Sequence, residues 1–239
     1  MMEWKNTANV VIIGGGIIGV STAYYLARNG MKNIVLIEKG TICGGSTGRC
    51  GAGIRAQWGT EMNCRLGIAA LDIFEQLDQE LGMSVGLNQG GYLLVAYNEK
   101  ELETLRTGMD LQNSLGIKSR QISLKEAREI CPGLAADDAV GFFFHGRDGH
   151  ADPFLTTFAY LEAAKGLGVT CHRHTECTGI LVDGGVVQGV ETDRGTIHAP
   201  VVINCAGAYS QFIARMAGIE IPNWAERHEI MITEPVAPG

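Results

Sequence analysis

Two stretches near the amino terminus have the residue types and spacing to hold a phosphate-bearing ligand. Gly14-Gly-Gly16-Ile-Ile-Gly19 fits the pattern GxGxxG, and Glu38 stands 19 residues beyond its last glycine. Gly14 allows a tight turn, Gly16 lets a pyrophosphate approach the main chain, and Gly19 permits close packing of helix on strand. Glu38 can accept both hydroxyls of an adenosine ribose and would repel a 2'-phosphate, which disfavours NADP. NAD and FAD share this fingerprint, so the choice between them comes from the next segment. Gly44-Gly-Ser-Thr-Gly-Arg49-Cys-Gly-Ala-Gly-Ile-Arg55 offers small residues, hydroxyls and free main-chain N–H groups, suited to a second phosphate and a flat ring system. A nicotinamide enzyme more often runs straight into its next repeat. FAD is therefore the expected cofactor.

The elements around these residues fit the same reading. Asn9 to Gly14 is a short apolar run rich in β-branched residues, as in a strand covered on both faces. Ile17 to Asn29 has helical spacing with Gly30 placed as a left-handed cap, and Asn33 to Ile37 is a second apolar strand. Residues 40–59 are glycine-rich and predict a long irregular loop close to a ligand. Thr60 to Leu81 predicts a helix with an apolar stripe of Leu66, Ala69, Ala70, Ile73, Phe74 and Leu77, stopped at Gly82.

From Gly91 the βαβ order breaks. Strands are expected at Gly91 to Tyr97 and Val140 to Phe144, with helices at Glu99 to Leu115 and Ser123 to Ile130, the second opened by a capping box of Ser123 and Glu126. A helix from Asp152 to Leu167 then returns to the first fold. It is followed by strands at Val169 to His172 and Gly179 to Val182, an Asp183-Gly-Gly-Val186 hairpin turn, strands at Val187 to Thr192 and Val201 to Asn204, and a helix ending at Gly218. A last strand is expected over Ile230 to Pro235. The fold class expected is α/β, a discontinuous Rossmann-like FAD-binding domain (1–88 and 145–221) with an inserted α+β substrate lobe (89–144 and 222–239).

Composition narrows the function classes. The 239 residues are 46% hydrophobic and 19% charged, with a formal charge of −7 and no basic run, which argues against a nucleic-acid partner. No apolar run reaches the roughly 18–20 residues of a membrane span, and the run at Val10 is broken by glycines without a cleavage site. A cytoplasmic protein is expected. Seven scattered cysteines contain no CxxC pair and read as reduced, structural thiols. His172 and His174 alternate along a strand with no third ligand nearby, so no metal is expected.

The order of these motifs resembles the glycine oxidase, sarcosine oxidase and D-amino-acid dehydrogenase group of FAD-dependent amine oxidoreductases, with the sarcosine oxidase β subunit the nearest likeness. It rests on Gly14 to Gly19, Glu38-Lys-Gly40, the Gly-Gly-Ser-Thr-Gly-Arg loop, Glu176-Cys-Thr-Gly-Ile180, Val201-Val-Ile-Asn-Cys-Ala-Gly-Ala-Tyr-Ser210 and His228 to Pro235. The resemblance implies that Lys39 joins Glu38 at the cofactor, and that Gly45, Ser46, Thr47 and Arg49 run along the pyrophosphate and flavin. It further implies that the main chain at Cys177 meets the adenine, and that Ala206 and Gly207 make a second approach to the cofactor. Arg55 matches the position that holds the substrate carboxylate in several relatives, and a guanidinium fork suits a planar carboxylate. Arg49 could share that role, and Gln57 and Trp58 line the same mouth or pack. The flavin-attaching histidine of the β subunit is replaced by Ala151-Asp-Pro-Phe154, so FMN is left out. The implied activity is oxidation of a small amino acid or N-alkyl amino acid at the carbon next to nitrogen, with electrons passed to oxygen or to a partner subunit, and a hetero-oligomer is an assembly the resemblance allows. Relatives are longer than this chain, so the rest of the substrate lobe is expected from further sequence or a partner chain, and the 239 residues alone are expected to bind FAD weakly.

Overall fold

The computed structural model describes residues 4–230 and Glu234. In chain order the elements are β1 (Val10–Ile13), α1 (Ile17–Arg28), β2 (Ile34–Glu38), β3 (Gly53–Ile54), α2 (Glu61–Leu81), β4 (Tyr92–Ala96), α3 (Glu99–Ser114), β5 (Arg120–Ile122) and α4 (Leu124–Ile130). They continue as β6 (Gly141–His145), β7 (Gly149–His150), α5 (Pro153–Gly166), β8 (Thr170–Arg173), β9 (Cys177–Asp183), β10 (Val186–Thr192), β11 (Gly195–His198), β12 (Val201–Asn204) and α6 (Ser210–Met216). Packing groups them into two units. The first comprises residues up to Gly51, Leu81–Val85 and Pro153–Ile230; the second comprises Ala52–Glu80 and Gly86–Asp152.

The first unit is built on a parallel sheet of order β12-β1-β2-β8. Every residue of β1 is buried, and so are the four aliphatic residues of β2, which is why both read as unbroken apolar runs. Burying each such side chain contributes about 1.5–3 kcal/mol, and Leu36→Ala would cost about 2–5 kcal/mol because close neighbours cannot collapse into the gap. Helix α1 ends where Gly30 turns to φ +92°, a conformation that a Cβ disfavours. An antiparallel meander, β9-β10-β11, completes the unit. Its first turn places Gly184 at φ +55° and Gly185 at φ +80°, as a tight hairpin with two left-handed residues requires.

The second unit holds the antiparallel sheet β4-β6-β5 and the short pair β3-β7. At the start of α3, Asn98 Oδ1 accepts from Glu101 N at 2.9 Å, while Glu101 Oε2 accepts from Tyr97 N at 2.8 Å. At α4 only half of the expected box forms. Ser123 Oγ accepts from Glu126 N at 3.2 Å, but the Glu126 carboxylate turns to Arg120 instead of back to the cap.

Three expectations need correction. Residues 40–59 are not one irregular loop: Thr47–Arg49 forms a 3-10 turn and Gly53–Ile54 pairs with Gly149–His150. The buried stripe of α2 is rotated, running through Cys64, Gly67, Leu71 and Leu77, with Leu66 61% and Ile73 43% exposed. Gly67 explains the rotation, since a Cβ there would stand 2.8 Å from both Ala56 Cα and Arg55 O. The helix lies on that main chain through its smallest residue, which a hydrophobic pattern does not count. Strands β5 and β11 were not expected at all. The strand expected over 230–235 falls largely outside the described residues. The packing limits leave 52–80 in the second unit, whereas the expected domain limits are a functional division.

Candidate functional site

The first unit gathers Gly14, Gly16, Gly19, Glu38, Thr47 and Ala206 at the carboxyl ends of β1, β2 and β12. Gly14 turns at φ +117°, and a Cβ on it would stand 2.3 Å from Cys205 O and 3.2 Å from Ala206 N. A Cβ on Gly19 would stand 1.9 Å from Gly14 O. These two glycines have no room for a side chain. Gly16 differs: a Cβ there would meet only Thr47 Oγ1 at 3.0 Å, and one on Gly45 would meet nothing within 4 Å. Open space therefore lies beside the start of α1, where Gly16 caps the helix without a side chain and the first turn carries no acidic residue.

That cradle fits a pyrophosphate, because a helix start with unsatisfied N–H groups and no acidic residue in its own first turn attracts an anion. Thr47 Oγ1 accepts from Ile17 N at 3.1 Å, which leaves its own hydroxyl hydrogen to donate outward. Glu38 does more than the sequence implied. Its Oε2 accepts from Gly15 N and its Oε1 from Gly40 N, both at 2.7 Å, so the carboxylate ties the glycine turn to the end of β2. Each oxygen keeps a second lone pair for a ribose hydroxyl.

The other expected cofactor residues lie around this cradle. The ammonium of Lys39 sits 3.4 Å above the Tyr209 ring, next to the 3-10 turn Gly207–Tyr209. Ala206 N donates to Asn204 Oδ1 at 3.2 Å, and Gly207 takes φ +54°. Cys177 opens β9 shortly after Thr175, whose N donates to Glu38 O at 2.9 Å. Gly45, Ser46 and Arg49 are exposed on the loop before and through the 3-10 turn. Burial raises the Cys171, Cys177 and Cys205 thiols, so all three are neutral packing groups at neutral pH.

The second unit contains Arg55. Its guanidinium carbon lies 4.0 Å from the Trp58 ring centroid and 5.5 Å from that of Tyr92, and no carboxylate pairs with it among the described residues. Trp58 Nε1 donates to Arg55 O at 2.8 Å, so the expected packing of Trp58 is replaced by a half-open plate under the arginine. Gln57 is 3% exposed, and neither its Oε1 nor its Nε2 has a hydrogen-bond partner among the described residues. Sequence reasoning missed Tyr92 and the buried pair His145 and Asp148, whose Nδ1 and Oδ1 are 2.7 Å apart. The His145-x-x-Asp148 spacing was the one available signal.

Among the described residues no three His, Cys, Asp or Glu side chains gather as a metal-binding group. His172 is buried with its ring 4.8 Å from that of Trp4, and His174 lies beyond β8 at φ +52°. Burial, with Arg194 and Lys5 nearby, holds the His172 imidazole below its ordinary range. Among the described residues no helix is long and apolar enough to cross a membrane.

The chain is similar over most of its length to known proteins. The sequence profile of a family described as FAD dependent oxidoreductase matches residues 9–239. Human mitochondrial sarcosine dehydrogenase is 33% identical over 237 residues, covering 97% of this chain and 26% of that enzyme. The β subunit of sarcosine oxidase from Arthrobacter sp. is 31% identical over 242 residues, covering 99% and 60%. The crystal structure of L-proline dehydrogenase from P. horikoshii superposes with a TM-score of 0.86 at 36% identity, covering 90% of this chain and 57% of that one. The chain thus spans about a quarter of the first of these relatives and less than two thirds of the others. A glycine cradle closed by Glu38 and a profile match over nearly every residue lead to one conclusion: the chain belongs to the FAD-dependent oxidoreductase family, whose cofactor is FAD.

Proposed function

We propose that this chain carries the FAD site and part of the substrate lobe of an enzyme that oxidises a small amino acid or N-alkyl amino acid at the carbon next to nitrogen. Arg55 is the observation that carries this reading. A half-buried guanidinium held against two aromatic rings, with no carboxylate paired to it among the described residues, is a fork kept ready for an external planar carboxylate.

In this reading Gly14, Gly16 and Gly19 bring the main chain and the start of α1 to the pyrophosphate, and Thr47 donates its hydroxyl to it. Glu38 accepts the ribose hydroxyls, Lys39 and the main chain at Cys177 border the adenosine, and Gly45, Ser46, Arg49, Ala206 and Gly207 border the flavin half. Bound there, FAD supplies the acceptor for a hydride. Arg55 orients the substrate by its carboxylate, Arg49 is the second cation available for that task, and Trp58 and Tyr92 exclude water from the fork. The functional domains proposed are 1–88 with 145–221 for the cofactor, and 89–144 with 222–239 for the substrate lobe.

Sarcosine or another N-alkyl amino acid ranks first as substrate, glycine or proline second and D-amino acids third; the names of the relatives support the first two. The relative that is a β subunit supports a hetero-oligomer in which a partner subunit, or oxygen, takes the electrons. Anaerobic titration of the FAD-loaded full chain tests this. Sarcosine, glycine, L-proline and D-alanine are each added, and loss of the flavin absorption band is read. Bleaching by at least one is expected. Yellow protein that none of them bleaches replaces the reading with a flavin-binding subunit without substrate chemistry.

A further inference from the structure

The short strap Gly53–Trp58 is held at unusual density for an exposed edge. Before Arg55, β3 pairs with β7, and Ala151 N donates to Ala52 O at 3.1 Å. After Arg55, Ala56 N donates to Asp148 Oδ1 at 2.9 Å and Gln57 N to Asp148 Oδ2 at 3.4 Å. Gly67 of α2 closes the strap from another side. Asp148 is fully buried, and its Oδ1 also meets His145 Nδ1 at 2.7 Å. A buried carboxylate is costly unless every oxygen is bonded, and here two main-chain N–H donors and the His145 ring nitrogen converge on it. The main-chain carbonyl of the same residue accepts from Gly91 N at 2.8 Å, directly before Tyr92. Tyr92 itself pairs with His145 across β4 and β6. One residue therefore grips both the strap that carries Arg55 and Trp58 and the strand that carries Tyr92.

We infer that Asp148 is a positioning residue for substrate carboxylate recognition, setting the direction of the Arg55 guanidinium through the main chain of Ala56 and Gln57 and through the placement of Tyr92. The inference rests on the reading of Arg55 as the carboxylate fork. Asp148 touches neither substrate nor cofactor in this scheme. Asparagine at position 148 keeps one acceptor but turns its amide N–H toward a main-chain donor, so the strap shifts while the volume is kept. A fork turned off its axis loses one of its two parallel bonds to the carboxylate, and losing a charged hydrogen bond costs roughly 10- to 100-fold in affinity.

The test uses the FAD-loaded full chain and propionate, a carboxylate without an amine, whose binding is read from perturbation of the flavin absorption. Asp148→Asn is expected to raise the propionate Kd about 10- to 100-fold, with the KM for the amino-acid substrate rising in step, kcat falling less than about threefold and FAD retained. A variant that loses FAD or kcat while propionate Kd and KM stay at their starting values overturns the inference, since that is what a merely structural role would give. Arg55→Ala is measured alongside. If it does not weaken propionate, the fork reading itself fails; if it does and Asp148→Asn does not, the fork stands and the positioning role falls. Should Asp148→Asn not fold, His145→Phe removes one donor to Asp148 at similar volume. A rise in propionate Kd of about threefold is expected there, and an unchanged Kd overturns the inference.

Discussion

The two units prepare for a ligand in opposite ways. In the first, the groups around the cradle are peptide N–H and C=O groups, and the side chains of Glu38 and Thr47 serve mainly to hold them in place. In the second, side chains face outward, Arg55 between Trp58 and Tyr92, and the main chain is what Asp148 holds in place. A site made of peptide groups tolerates no added carbon but makes few demands on side-chain identity. A site made of side chains tolerates backbone substitutions between its members but fails when any member loses its direction.

The sharpest way to break this contrast is to add one methyl group to the first unit. Gly19→Ala puts a Cβ where Gly14 O stands, and is expected to cost about 3 kcal/mol of stability by overpacking and to yield protein without FAD. Urea unfolding and the flavin-to-protein absorbance ratio check it, and retained FAD at unchanged stability would show that the cradle is not close-packed. Glu38→Gln comes next. One main-chain N–H then faces an amide instead of a carboxylate oxygen, and FAD affinity, measured by fluorescence titration, is expected to fall about tenfold.

In the second unit Tyr92→Leu removes one plate and keeps the strand. A three- to fivefold rise in KM with FAD affinity unchanged is expected, in line with about 0.5–1 kcal/mol for an exposed cation over an aromatic ring. Weaker FAD binding in this variant would blur the division of labour. The smallest effect is expected at His172. Its depressed value means that the unfolded state binds a proton more readily, so the stability tied to the neutral ring is complete above about pH 6.5 and is lost as pH falls below it. His172→Phe keeps a ring against Trp4 and removes a nitrogen that has no partner among the described residues, so melting temperature at pH 7 should change little, while its decline as pH falls below about 6.5 should flatten. An unchanged decline would assign that acid sensitivity to other groups.

The same contrast explains what the sequence made legible. The main chain comes so close at Gly14 and Gly19 that a Cβ has no room, so the cradle is legible as Gly14, Gly16 and Gly19 at fixed spacing after an apolar strand. The Arg55 strap left no such local trace. Tyr92 is distant in the chain from Arg55 and from the pair His145 and Asp148, and Arg147-Asp148-Gly149 reads as an ordinary surface turn until β6 and β7 fold over it. Arg55 itself was pointed to by resemblance and by its residue type, and its role remains a proposal. The α2 stripe was misplaced for a related reason, because Gly67 buries the helix by being small and not by being apolar. Strands β3, β5, β7 and β11 are two to four residues long, too short for any alternation to show.

The pairing of β1 with β12 also governs when the cradle can come into being during synthesis. Val10 lies beside Val201, and the Gly14 turn is backed by the carbonyl of Cys205, so one wall of the earliest motif is supplied near the end of the described chain. Until those residues leave the ribosome, β1 has an open edge along its apolar length, a surface that invites pairing with other chains. Contacts so distant in sequence also make for slow folding, on the order of milliseconds to seconds in comparable topologies. Saturating FAD during expression would then raise the yield of soluble protein by capturing chains that have just closed the cradle.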